Sequence, residues 1–225
     1  MNPQRRTTLK AASGAGLYGG ALDDNNVNMT ADFGVYLPLC LGNRVWRDDG
    51  AGGGTANNGV FDGAEQGIAN VVVRLLDGAG NPVLGANGQP LTATTDAQGY
   101  YFFCNLLPGS YIVLIDASNF AVGGPLSGLD SSGPTEGTPD SDGDMNDNGI
   151  NVPNPAATGI RSGVVTLAYN NEPTNENDLG PVGTGQVPNS NNLTVDFGFF
   201  RQPTNEEEAQ EPTGLPRLYL PLALK

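Results

Sequence analysis

The chain has 225 residues, enough for one large domain or for a medium-sized domain with extended arms. Its 33 glycines and 17 prolines favour many short elements joined by turns over long helices. A net charge of -14 and the absence of histidine exclude nucleic acid as a partner, because phosphate binding needs clustered Lys and Arg, and they exclude histidine-based catalysis.

The N-terminal part of the chain divides into two stretches. Residues 1–27 lack apolar alternation and are interpreted as an arm. Within it, residues 4–22 with the paired Arg5 and Arg6 resemble the remnant of a twin-arginine export signal; the alternative is the tail of a truncated upstream repeat. Residues 28–36, NMTADFGVY, have the sequence of a domain's closing strand.

Residues 37–200 have the pattern of one β-rich domain. Short runs rich in Val, Ile, Tyr, Phe and Thr alternate with turn sequences, which predicts an antiparallel sandwich. The continuous apolar run in 68–77 predicts a central strand that is buried on both faces. The expected strands cover residues 40–46, 68–77, 91–96, 99–106, 111–116, 163–169 and 193–200.

Two long stretches lack this pattern. The span from Ala117 to Ser162 is far longer than a usual connection, so we expect it to be either disordered or held by something other than a hydrophobic core. Residues 201–216 contain a run of Glu and are interpreted as an acidic, solvated linker. Residues 217–225, which end in LYLPLALK, are interpreted as a strand-like tail.

The centre of the chain resembles a known family. The segments that carry the resemblance are GNRVWRDD (42–49), NNGVFDGAEQGIANVVVRLLD (57–77), TTDAQGYYFFCNLLPGSYIVLID (94–116), PDSDGDMNDNGI (139–150), GIRSGVVTL (159–167) and NLTVDFGFF (192–200). In this order they are similar to the calcium-binding SdrD-type B domains of bacterial serine-aspartate repeat surface adhesins. The resemblance implies an all-β, Ig-like or prealbumin-like antiparallel sandwich with long calcium-binding loops and extended terminal arms. It also implies a rigid spacer of secreted and cell-surface proteins.

Two acidic loops contain the oxygen ligands that calcium prefers. The first loop offers Asp48, Asn58, Asp62 and Glu65; the family has Asp more commonly at the position of Asn58, and a glycine-rich insert follows Asp48 here. The second loop offers Asp140, Asp142, Asp144 and Asp147, which resembles the opening of an EF-hand loop without its flanking helices. The alternative is that these acids only solubilise flexible loops. Two such clusters in one β domain favour calcium, and oxygen-only ligands argue against zinc or copper.

The remaining signals concern crosslinks and catalysis. Cys40 and Cys104 lie in separate predicted strands, and either one disulfide or two buried free thiols fits the sequence. Neither a nucleophile paired with a base nor a catalytic histidine is found, so we do not expect an enzyme. No apolar run of 18 residues is present, so we expect no membrane span.

The two ends of the chain repeat parts of its centre. NMTADFG repeats the closing NLTVDFG, and LYLPLALK repeats the opening VYLPLCLG. We therefore expect an extracellular, cell-surface structural module whose terminal strands complete the edge of a neighbouring copy, giving a head-to-tail homopolymer. The alternative for the ends is a fragment that packs them on its own sandwich. The alternative function is an adhesin that recognises a surface glycan or protein ligand.

Overall fold

The structure is a computed structural model that describes residues 36–133, 139–140, 145–174, 176, 178–182 and 190–202. Contacts divide the chain into Met1–Tyr36 and Leu37–Lys225, and the description below concerns the second unit. The predicted N-terminal arm, nearly all of the strand-like stretch after it, most of the acidic linker and the whole tail lie outside the described residues. No helix in the described part of the chain is long and apolar enough to cross a membrane.

Ten strands and one short helix form the described domain. They are β1 (Leu39–Arg47), β2 (Gln66–Gly67), β3 (Val72–Asp77), β4 (Thr92–Thr94), β5 (Tyr100–Leu106), β6 (Gly109–Ile115), β7 (Asp130–Ser131), α1 (Pro155–Thr158), β8 (Ile160–Arg161), β9 (Val165–Leu167) and β10 (Phe197–Phe200). One sheet has the order β2-β1-β10-β7 with β5 also paired to β1, and the other has the order β4-β3-β6-β8 with β9 also paired to β6. The all-β sandwich predicted from the sequence is confirmed.

The hydrophobic core lies between the two sheets. Side chains from both sheets belong to one buried cluster, among them Leu39, Val45 and Phe197 from the first sheet and Val73 and Ile115 from the second. The strands are rich in β-branched and aromatic residues, which fit a pleated surface with one buried face. The single cluster therefore joins the two sheets into one domain.

The strand β3 is central; the face that packs on the core is buried, and the other face is partly buried, with Leu76 buried there. It pairs with β4 on one side and with β6 on the other, as its apolar sequence predicted. Val73 and Leu75 are buried, whereas Val72 and Arg74 between them are only half-buried. The prediction of two buried faces therefore holds for only part of the second face, because the strand belongs to an antiparallel sheet that packs on the core with its first face.

The sheets also contain one parallel pair that the sequence did not indicate. β1 pairs with β10 in parallel, with Val45 opposite Phe197 and Arg47 opposite Phe199. The same alignment continues towards the start of β1, where Asn192 N donates to Cys40 O at 3.0 Å. The first and last strands of the domain therefore lie side by side.

The long span after β6 is held in part by the core. Phe120, Leu126 and Leu129 are buried and belong to the same cluster as the strands. The amide of Asn119 accepts a hydrogen bond from Val72 N and donates one to Val72 O, each at 2.8 Å. The expectation that no core would hold this span was wrong, since its apolar residues are too widely spaced to give a periodic signal.

Candidate functional site

The first acidic loop begins where β1 ends. Asp48 N donates to Phe199 O at 2.9 Å, which ties the start of the loop to β10. The Asp48 side chain is fully buried, and its carboxylate accepts the N–H groups of Gly59 at 2.8 Å and Asn58 at 3.4 Å. One carboxylate therefore closes the glycine-rich insert into a compact loop.

The other predicted ligands of this loop surround Asp48. Asn58 Nδ2 donates to Asp62 Oδ2 at 3.0 Å, and the Glu65 carboxylate accepts from Gly50 N at 2.8 Å and from Asp62 N at 3.2 Å. Burial raises the pKa of Glu65; the two backbone donors oppose the rise, and the nearby charges of Asp48 and Asp62 add to it. The structure thus brings together all four residues that the sequence proposed for the first loop.

A second segment lies against this loop and contributes Asp147. Asp147 N donates to Gly59 O at 2.8 Å, and Asp147 pairs with Asp196 in an isolated parallel bridge. Its carboxylate Oδ1 accepts from Gly149 N at 2.9 Å and Gly198 N at 3.2 Å. We call this contact between residues 48–65, 145–149 and 196–198 the acidic seam.

The charge of Asp147 is poorly compensated. The residue is fully buried, and its Oδ2 has no hydrogen-bond partner of good geometry among the residues that the structure describes. Burial raises the pKa of this carboxyl well above its usual range; the N–H groups of Gly149 and Gly198 lower it, the charge of Asp48 raises it, and the nearby Ser131 hydroxyl lowers it. A buried carboxylate of this kind needs a proton or a cation to balance it.

The predicted second loop is not one cluster in the described residues. Asp140 accepts from Thr166 N at 3.0 Å and from Asn192 Nδ2 at 3.4 Å, whereas Asp147 binds Gly198 N. Positions 192 and 198 are six residues apart on an extended segment, about 20 Å at about 3.3 Å per residue. Asp140 and Asp147 therefore lie at different places along the last strand. Asp142 and Asp144 lie outside the described residues.

Three further buried acids of the described residues, Glu172, Asp178 and Asp196, were not identified from the sequence. Glu172 accepts from Ala168 N at 2.5 Å; burial raises its pKa, and the charge of Asp140 adds to the rise. Asp196 accepts from Arg44 N at 2.9 Å and Met145 N at 3.1 Å, which joins β1 to the acidic seam. The signal for Asp196 was an acid inside an otherwise apolar strand, because such a residue is seldom buried without a specific role.

Arg44, which stacks on Phe61 of the first loop, forms its ion pair with an acid outside that loop. Arg44 Nε lies 2.8 Å from Asp178 Oδ2, and its guanidinium stacks on the rings of Phe61 and Tyr100 at 4.4 and 4.2 Å. The other ion pairs of the described residues are Arg47–Asp49 and Arg74–Asp116. Within that part of the chain, no lysine or arginine forms an ion pair with Asp48, Glu65 or Asp147.

The two cysteines form a covalent link near the start of the domain. Cys40 of β1 is joined to Cys104 of β5 by a disulfide, so the first of the two arrangements left open by the sequence is the one in the structure. Cys40 is half-buried and Cys104 is exposed. The bond ties two neighbouring strands whose cysteines are 64 residues apart in sequence.

The acids of the seam are satisfied mainly by backbone donors. Among the residues that the structure describes, no group of three or more His, Cys, Asp or Glu side chains is arranged to hold a metal ion. The donors present are carboxylate and amide oxygens, which suit a hard cation such as calcium. An ion at the first loop would have to replace N–H donors such as those of Gly50 and Gly59.

Comparison with known proteins gives consistent similarities. Residues 39–144 match the SdrD B-like domain family. The chain is 30% identical over 177 residues to serine-aspartate repeat-containing protein F of Staphylococcus epidermidis, covering 78% of this chain and 8% of that protein. It is 29% identical over 177 residues to serine-aspartate repeat-containing protein D of Staphylococcus aureus strain Newman, covering 78% and 9%. It is 42% identical over 84 residues to Colossin-A of Dictyostelium discoideum, covering 37% and 1%. The chain thus spans less than a tenth of each of these relatives.

Proposed function

Because residues 39–144 belong to the SdrD B-like domain family, we propose that the chain supplies a calcium-stabilised structural module to an extracellular, cell-surface assembly. The match to a SdrD B-like domain and to serine-aspartate repeat-containing proteins supports a structural module and not an enzyme. The sandwich supplies the rigid body of the module. Bound calcium supplies the positive charge that balances the buried carboxylates of its acidic loops.

The uncompensated negative charge of the acidic seam carries this proposal. Asp48, Glu65 and Asp147 are all buried, and no ion pair in the described residues neutralises them. Burying an unpaired carboxylate costs several kcal/mol, so the folded state gains from a bound cation. A divalent ion with oxygen ligands meets this need better than a single proton, because three carboxylates are involved.

Two groups of residues would hold the ions. At the first loop the ligands are Asp48, Asn58, Asp62 and Glu65, with the orphaned Oδ2 of Asp147 offering a further donor in the seam. At the other end of the last strand Asp140 would act with Asp142, Asp144 and the buried Glu172. Bound there, calcium would tie the long span to β10 and stiffen the module.

Thermal unfolding tests the proposal. We expect EGTA to lower the Tm of the full chain and added calcium to restore it, because a ligand that binds only the folded state stabilises it. Glu65→Gln should reduce the calcium-dependent increase in Tm. Asp49→Asn is the matched control, since Asp49 is exposed, pairs with Arg47 and accepts a hydrogen bond from Ala51 N at 3.1 Å. A Tm that is the same with and without EGTA would contradict the proposed calcium function.

We further propose that the module polymerises through its terminal strands. The repeats of closing-strand sequence in 28–36 and of opening-strand sequence in 217–225 support this, because a donated strand can add main-chain hydrogen bonds to a sheet edge. Light scattering and electron microscopy of the full chain should show filaments. A chain limited to residues 37–202 should stay monomeric. Monomers of the full chain alone, with calcium present, would overturn the polymer but not the calcium site.

A further inference from the structure

Three Asn-Gly pairs lie in the described part of the chain: Asn58-Gly59, Asn87-Gly88 and Asn148-Gly149. An asparagine before glycine can lose its side-chain amide, because glycine has no Cβ to hinder the attack of its nitrogen on the amide carbon. The surroundings of each pair decide how fast this happens. They differ sharply among the three pairs.

The amide of Asn58 is fixed in one orientation. Its Oδ1 accepts a hydrogen bond from Val60 N at 2.9 Å, and its Nδ2 donates to Asp62 Oδ2 at 3.0 Å. The N–H of Val60 is therefore placed to stabilise the negative charge that develops on Oδ1 when the amide carbon is attacked. Asn58 is only half-buried, so water can reach it.

The attacking nitrogen also has a partner of the right kind. Gly59 N–H donates to Asp48 Oδ2 at 2.8 Å, and Asp48 is fixed by its complete burial and by the hydrogen bond from its own N–H to β10. A carboxylate at this distance can take the proton as the nitrogen forms its new bond. The structure thus places a carboxylate on the N–H of Gly59 and an N–H donor on Oδ1 of Asn58, the two groups that would react.

We propose that Asn58 is a self-processing site that converts itself to aspartate or isoaspartate. The Gly59 nitrogen bonds to Asn58 Cγ while its proton passes to Asp48 Oδ2. The bond from Cγ to Nδ2 then breaks, and the same proton reaches Nδ2, which leaves as ammonia. Water opens the resulting succinimide. The net reaction is amide plus water to carboxylic acid plus ammonia, with no change of oxidation state.

Processing would alter the first acidic loop. The product with a normal main chain places a new carboxylate beside Asp62, in the loop that already holds Asp48 and Glu65. If the proposed calcium function holds, this consequence follows from it: the extra charged oxygen strengthens calcium binding. The reaction at Asn58 does not itself depend on calcium.

The other two pairs serve as internal controls. Asn87 Oδ1 accepts from Gln89 N at 3.0 Å, the same turn as at Asn58, but Gly88 N donates to the backbone carbonyl of Gly85 instead of a carboxylate. Asn148 is almost completely buried, which keeps water away from it. The comparison of Asn58 with Asn87 therefore isolates the effect of the neighbouring carboxylates.

Mass spectrometry of peptides from the full chain measures the reaction. The folded chain is incubated in EGTA and ¹⁸O-labelled water, and conversion at Asn58 and Asn87 is followed over time. We expect Asn58 to react about 10²-fold faster than Asn87, at the lower end of what a positioned base contributes. In urea the two rates should become similar. Conversion at Asn58 that is equal to or slower than at Asn87 in the folded chain would overturn the proposal.

Two variants test the role of Asp48 as base and the effect of a carboxylate at position 58 on calcium binding. Asp48→Asn should reduce the rate at Asn58 to that at Asn87 and leave Asn87 unchanged; an unchanged rate at Asn58 would contradict a role for Asp48 as base. If Asp48→Asn does not fold, the conversion rates at Asn58 and Asn87 in the unaltered chain still test the proposal. Asn58→Asp should bind calcium more tightly than the parent by titration. If calcium binding is the same in Asn58→Asp and in the parent, the proposed effect of the new carboxylate is refuted, but the reaction at Asn58 is not. If neither chain binds calcium while Asn58 still converts rapidly, only the proposed calcium function is refuted.

Discussion

The disulfide between Cys40 and Cys104 allows a quantitative prediction about stability. The two cysteines are 64 residues apart, so the bond closes a loop that includes β1 to β5 in the unfolded chain. In the chain-entropy treatment, a loop of this length stabilises the folded state by about 4 kcal/mol at 25 °C. Little packing energy is added, because Cys40 is half-buried and Cys104 is exposed. The loss of the bond should therefore act almost entirely through the unfolded chain.

The double variant Cys40→Ser with Cys104→Ser tests this magnitude. For a chain of this size 1 kcal/mol corresponds to about 2–4 °C, so we expect Tm to fall by about 8–16 °C. Scanning calorimetry should be done in EGTA and again in calcium, so that ion binding does not hide the difference. Reduction of the unaltered chain with dithiothreitol is the matched control and should give the same decrease. A decrease of less than about 3 °C in EGTA would refute the argument from loop entropy.

Three further predictions concern close contacts and charge. Gly42→Ala should strongly destabilise the domain, because its Cβ would collide with a backbone carbonyl of β5, whereas Gly133→Ala, with nothing within 4 Å, should be nearly neutral by urea unfolding. Arg44→Ala should cost about 3–5 kcal/mol, since it removes the cation that pairs with the buried carboxylate of Asp178, and the exposed Arg47→Ala should cost less than about 1 kcal/mol. In EGTA, the free energy of unfolding should rise as pH falls from 7 towards 5, because burial raises the pKa of Glu65 above 4.5 and the folded state then binds the additional proton. Glu65→Gln should flatten this slope, and a slope of opposite sign would contradict it.

The first acidic loop could be found from the sequence because its ligands are close together along the chain. Asn58, Asp62 and Glu65 fall within eight residues, and their side chains are brought together by turns rather than by distant strands. Asp48 is joined to them through the backbone N–H groups of a loop that is itself short. Local chemistry of this kind is visible in sequence spacing.

The partners of Asp147 and Asp140 could not be found in this way. The spacing suggested one loop, but Asp147 packs on Gly59 and Gly198, whereas Asp140 lies near Asn192. These contacts depend on how the long span crosses the last strand. Strand pairing over such separations is set by packing of the whole core and leaves no periodic signal in either partner.

The sequence by itself determined the class of the fold, the position of most strands and the identity of the first-loop acids, because alternation, turn residues and clustered carboxylates are local properties. The tertiary structure decided that β1 and β10 run parallel and that Asp147 contacts the first loop. It also decided that Arg44 forms its ion pair with Asp178 and not with an acid of the acidic seam. Each of these depends on residues more than 85 positions apart, and only the packed core brings such residues together.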